Sequence, residues 1–199
     1  LNSEFNPYVE AFWTWWPELY RDLHTFRITG GEPLLSKDTW KVLDYIIESE
    51  NPNKELKLSI NSNLGVPDEL VDKLILKLDQ IIKEERVKEV IIFTSCDAYG
   101  AQAEYSRYGM DFDKVFNNID KILTKLEKVT VVIMSTFNIF SVYSYEKLIK
   151  KVYSYKVKHF NTIRYWNSPL ILDTSFLINP DFLSFRILKD YLDVEYFER

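Results

Sequence analysis

Apolar and polar positions along the chain follow two periods that take turns. A β-branched and aromatic run over residues 24–29 ends at Gly30-Gly31-Glu32-Pro33. Residues 37–48 follow, with Trp40, Leu43, Ile46 and Ile47 at helical spacing, and Asn51-Pro52-Asn53 breaks that stretch. Residues 56–60 alternate as a strand and stop at Asn61-Ser62-Asn63. Pro67-Asp68-Glu69 then opens a helix, with proline in the first turn and acids at the positive end of its dipole. Leu70, Leu74, Leu78, Ile81 and Ile82 form the apolar stripe of that helix. A third strand over 87–94 runs into Ser95-Cys96-Asp97, a longer connection covers 98–110, and an amphipathic helix spans 112–126. Residues 128–134 predict a fourth strand ending at Ser135-Thr136-Phe137-Asn138, 143–155 the next helix, and 162–166 a fifth strand. Residues 1–23, with three of the five tryptophans, read as a helix before the first strand. Residues 169–181 show no clear period, and 182–188 read as one more strand.

Strand and helix in strict alternation, with near-continuous apolar strands, indicate an α/β fold around a parallel sheet. No identity links the units, so the alternation belongs to a fold and not to a repeat protein. Four strands finish in small polar clusters, and parallel strands bring all their C-terminal ends to one side, where α/β folds bind ligands. Helix capping accounts for many of those Ser, Asp and Asn residues. It does not account for Gly30-Gly31-Glu32-Pro33, which is expected to cap nothing efficiently.

Composition narrows the class. A chain of 199 residues, 46% hydrophobic and 28% charged, suits one packed domain, and five glycines exclude collagen-like and low-complexity chains. A net charge of −5 argues against non-specific nucleic-acid binding. No apolar run approaches the roughly 20 residues of a membrane span. The one cysteine, Cys96, rules out an internal disulfide, fits a reducing cytoplasm, and excludes any site needing several thiolates from this chain.

At the first strand end, Gly30 and Gly31 let a ligand approach the main chain, Glu32 projects a carboxylate, and Pro33 stiffens the exit. A carboxylate held there suits a ligand ammonium. Gly-Gly-Glu-Pro after a strand resembles the segment of radical S-adenosylmethionine (SAM) enzymes that holds the methionyl amino group of SAM. The stretch Ser95-Cys96-Asp97-Ala98-Tyr99-Gly100, followed by Ala103-Glu104-Tyr105-Ser106-Arg107-Tyr108-Gly109, is similar to the fourth-strand region of the SPASM/twitch group. There a serine at the strand tip and an arginine before a glycine grip the SAM carboxylate, which implies Ser95 and Arg107 here. Arginine suits that task because its fork donates two parallel bonds. A surface pair of Arg107 with Glu104 or Asp111 is the plain alternative. Asn61 and Asn63 match the Asn-containing turn of the third strand, and Asn138 an asparagine after the fifth, both more loosely. Asp97 suits either orientation of SAM, action on substrate, or a cap. Residues 180–188 resemble the group's post-barrel pattern, except that Lys189 stands where proline is usual.

The resemblance covers roughly residues 10–190. It implies strands two to six of a partial (β/α)6 TIM-like barrel lacking its first βα unit, with residues 169–199 opening the post-barrel segment. It also implies a parent enzyme that binds a [4Fe-4S] cluster, cleaves SAM reductively to a 5′-deoxyadenosyl radical, and abstracts hydrogen from a substrate, often a peptide or protein. The CxxxCxxC loop that supplies three thiolates to such a cluster is missing from this chain, and Cys96 cannot replace it. The start at Leu1 and immediate entry into helical sequence favour a fragment of a longer parent over a degenerate domain, so the chain alone is expected to be inactive. Two other classes stand beside this reading: a non-catalytic module binding a nucleotide or peptide on a decayed barrel, and, last, an ordinary β/α-barrel enzyme acting on phosphates.

The remaining candidates read as structural. Cys96 is redox-active or near substrate on one reading, and more simply a small buried hydrophobe. His24 and His159 precede their strands and belong to the face opposite the polar clusters. Phe12, Trp13, Trp15 and Trp16 read as the buried face of the first helix, and Lys147, Lys150, Lys151, Lys156 and Lys158 as a solvated helix face.

Overall fold

The computed structural model describes residues 6–161 and 168–188. Helix α1 (Pro7–Asp22) comes first, followed by strand β1 (Thr25–Ile28), helix α2 (Lys37–Glu48), strand β2 (Lys57–Asn61) and helix α3 (Asp68–Lys83). Strand β3 (Glu89–Ser95), the short helix α4 (Ala101–Ser106), helix α5 (Phe112–Lys125), strand β4 (Thr130–Phe137), helix α6 (Tyr145–Lys158) and strand β5 (Leu170–Phe176) complete the order. All strands are parallel and pair in chain order, β1-β2-β3-β4-β5. The sheet is open, with β1 and β5 at its edges. Among the described residues no helix is long and apolar enough to cross a membrane.

Right-handed crossovers between successive parallel strands put every connecting helix on the same face of the sheet. Strand alternation records it: Phe26, Ile28, Leu58, Ile60, Val90, Ile92, Val131 and Ile133 join one core with the helical stripes. Their neighbours Arg27, Ser59, Asn61, Ile91, Phe93, Val132 and Met134 fall on the opposite face by register. Arg27 is level with Thr130 across the sheet, so Met134, four residues further along β4, would stand about 19 Å away in a flat sheet. Arg27 Nη2 nonetheless lies 3.5 Å from Met134 Sδ, closer than two extended side chains could bring them, so that face is concave.

The first helix packs on the helical face through Trp16, which is fully buried against Phe12, Tyr20, Phe26 and Tyr45. Its end is tied to the loop after α2. The Asn53 amide donates to the carbonyls of Tyr20 (2.8 Å) and Leu23 (2.7 Å), and the Asn53 backbone N–H to the Tyr20 hydroxyl. Burial raises the Tyr20 phenol above its ordinary pKa. Trp15 corrects the expected buried face: it is 55% exposed, one helical step round from Trp16.

Three further expectations change. The strand expected over 162–166 lies outside the described residues, while β5 occupies Leu170–Phe176, where no period was legible. Residues 182–188 form no strand; two 3-10 turns, Asp181–Leu183 and Phe185–Leu188, fold over the end of β4, with Ile139 N–H donating to the Leu183 carbonyl. The connection 98–110 contains α4. Replacing Trp16 with Ala should cost about 3–5 kcal/mol in urea unfolding, whereas Trp15→Ala should stay within about 0.5 kcal/mol. Equal losses would show that α1 is docked in another rotation.

Candidate functional site

The C-terminal ends of β1 to β4 lie side by side, and their loops are cross-linked. Gly30 has φ of +130°, a conformation that a side chain would strain, and it turns the chain out of β1. Glu32 then caps a 3-10 turn at Pro33–Leu35, its Oε1 accepting from Leu34 N–H at 3.1 Å. The expectation that this motif caps nothing is thereby corrected; the carboxylate satisfies the turn's free donor. Its Oε2 accepts from Asn63 N–H at 2.8 Å, which joins the β1 and β2 loops. A carboxylate offers about four acceptor positions, and two backbone donors leave the half-buried Glu32 with capacity for a ligand ammonium.

Asn63 acts here through its main chain; its side chain accepts from Gly65 N–H and shapes its own turn. Asn61 Oδ1 accepts from Arg27 Nε at 2.8 Å. Leu64 takes a positive φ of 55°, and its carbonyl accepts from the buried Asn118 amide of α5 at 2.8 Å. Asn118 was missed from sequence, although a polar residue within the apolar stripe of 112–126 was the available signal.

At the β3 end, Asp97 is nearly buried and has two partners. Its Oδ1 accepts from Thr136 N–H at 2.7 Å, locking the loop to β4, and its Oδ2 stands 2.8 Å from Arg107 Nε. That contact is an ion pair without an aligned hydrogen bond, since the Arg107 Nε–H finds no acceptor along its direction. Arg107 pairs with neither of the residues expected as its surface partners: Glu104 accepts from Phe112 N–H and Asp111 caps α5. Ser95 ends β3, half-buried and beside Met134 in register. Asn138 is spent within its own loop, its amide donating to the Thr136 carbonyl and accepting from Phe140 N–H. The structure thus joins Glu32 with Asn63 and Asp97 with Arg107, and leaves Asn138 apart.

Cys96 is fully buried, and its thiol donates to the Ala98 carbonyl at 3.1 Å. Burial pushes its pKa from 9.0 up to about 12. It behaves as a buried hydrophobe, and among the described residues no group of three or more His, Cys, Asp or Glu side chains could hold a metal ion. His159 sits at the end of α6 with Nε2 2.6 Å from Asp120 Oδ1. Burial raises the Asp120 pKa, but hydrogen bonds from Lys158 and His159 outweigh it and lower the carboxyl overall.

The buried thiol gives a pH dependence. Between about pH 9, where the unfolded thiol ionises, and about pH 12, where the folded one does, the native state holds the extra proton. Stability should therefore fall by up to about 1.4 kcal/mol per pH unit across that window. Urea unfolding of wild type and Cys96→Ala should show a difference that shrinks with rising pH; a constant difference would contradict the burial. No family model, curated protein or solved structure matches the chain.

Proposed function

We propose that this chain is the SAM-gripping part of a radical SAM enzyme of the SPASM/twitch group. Its five parallel strands would be strands two to six of a partial (β/α)6 barrel, with the first βα unit and the cluster loop supplied upstream in a longer parent. The observation that carries the reading is Glu32: a carboxylate fixed at a strand end by two backbone N–H groups, after a glycine that opens the main chain. That is what a ligand ammonium requires. Curvature of the sheet toward one face, and a β1 edge that pairs with no further strand among the described residues, agree with a barrel completed by another unit.

In this reading Glu32 holds the methionyl ammonium, with Gly30, Gly31 and Pro33 setting the approach. Ser95 and Arg107 receive the carboxylate, and Asp97 positions Arg107 from the β3 loop. Asn63 steadies Glu32 through its backbone, Asn138 shapes its own loop, and Asn61 on β2 holds Arg27 of β1. The [4Fe-4S] cluster does not fit the residues present, because one buried, protonated thiol cannot replace three thiolates. Hydrogen abstraction from a peptide or protein would belong to the parent. The same lone thiol also suits a module that binds a nucleotide or peptide without cleaving SAM.

Calorimetry should show SAM binding to the chain, weakened about tenfold or more in Glu32→Gln by loss of a charge-assisted contact. Equal affinities would remove the role given to Glu32. Anaerobic reconstitution of the chain should yield no stoichiometric iron and sulfide; a full [4Fe-4S] absorbance would overturn the assignment of the ligands to an upstream segment.

A further inference from the structure

The concave face of the sheet carries a cation that the SAM grip does not use. Arg21, Arg86 and Arg107 each stand beside a carboxylate, whereas Arg27, like Arg186, has none among the described residues. Its guanidinium lies 4.1 Å above the Phe93 ring, Nε donates to Asn61 Oδ1 at 2.8 Å, and Nη2 points at the Met134 sulfur, a weak acceptor. Stacking and the Asn61 bond hold the plane of the fork, so little conformational freedom is left to lose on binding. The other N–H groups have no protein acceptor among the described residues, and the side chain is exposed.

We propose that this face binds an oxyanion, a carboxylate or phosphate, of the substrate, gripped by Arg27 beside an apolar floor of Phe93 and Met134. It rests on the function proposed above only in taking the bound molecule as the substrate. A planar fork with free parallel donors matches the two oxygens of such a group. The floor suits an apolar portion attached to it. Asp173, exposed on the β5 side and level with Met134 in register, forms no ion pair with Arg27 and directs an anion toward the β1 side.

The test follows the Arg27 Nε–H resonance in the ¹⁵N-labelled chain, identified by its absence in Arg27→Gln. Sodium pyrophosphate and sodium succinate are titrated separately, at ionic strength held constant with chloride. A saturable shift with at least one of them is expected, with calorimetric affinity for that anion about tenfold or more weaker in Arg27→Gln. A response to pyrophosphate alone assigns a phosphate, and to succinate alone a carboxylate. No saturation of the wild-type resonance below roughly 10 mM of either anion, or unchanged affinity in a folded Arg27→Gln, would overturn the site; the wild-type resonance decides even if that variant does not fold. Loss of SAM binding with the anion response intact would count against the proposed function and leave this site standing.

Discussion

Parallel strands paired in chain order must be joined by connections that all cross back over the sheet in one hand, and that requirement organises the rest of the molecule. It puts α2, α3, α5 and α6 on one face, where their apolar stripes meet Leu58, Ile60, Val90, Ile92, Val131 and Ile133 in a continuous core. It also puts every loop that leaves a strand tip at one end. A sheet of antiparallel hairpins would scatter Glu32, Asn63, Asp97 and Thr136 between two ends. Here they meet, and the bonds from Asn63 to Glu32 and from Thr136 to Asp97 are its direct products.

Charge is divided between that end and the concave face. At the strand tips each charged side chain is already engaged: Glu32 by backbone donors, Asp97 and Arg107 by each other. Such engagement fixes direction, since a side chain held on one side presents its remaining capacity on the other. Arg27 lies on the concave face under the opposite regime, stacked and oriented but not neutralised. Under the function proposed above, the two arrangements would serve two parts of one reaction space, one gripping a zwitterionic headgroup and the other an anion.

How much was legible depended on how far local pattern carried the information. Trp40, Leu43 and Ile46 mark α2 so strongly that its ends coincide with the expected range. β5 escaped because Asp173, Thr174 and Ser175 interrupt its apolar period; an edge strand with one open face tolerates them. Residues 182–188 misled in the other direction, since Phe182, Leu183, Phe185, Ile187 and Leu188 supply strand-like composition to turns that pack over β4. Arg27 was visible as a charge within the strand 24–29, but its significance depends on Asn61, Phe93 and Met134, which lie far along the chain.

The sequence by itself determined the α/β alternation, the parallel sheet, the polar strand tips and the shortage of thiolates, because periodicity, turn residues and composition are local or additive properties. Only the tertiary structure decided the partners: that Glu32 caps a turn and takes Asn63, that Arg107 faces Asp97 and not Glu104 or Asp111, and that Arg27 faces no carboxylate among the described residues. Partner choice depends on which strand tips the crossovers set side by side, and sequence separations of 31 and 39 residues, as for Glu32–Asn63 and Asp97–Thr136, leave no local trace of it.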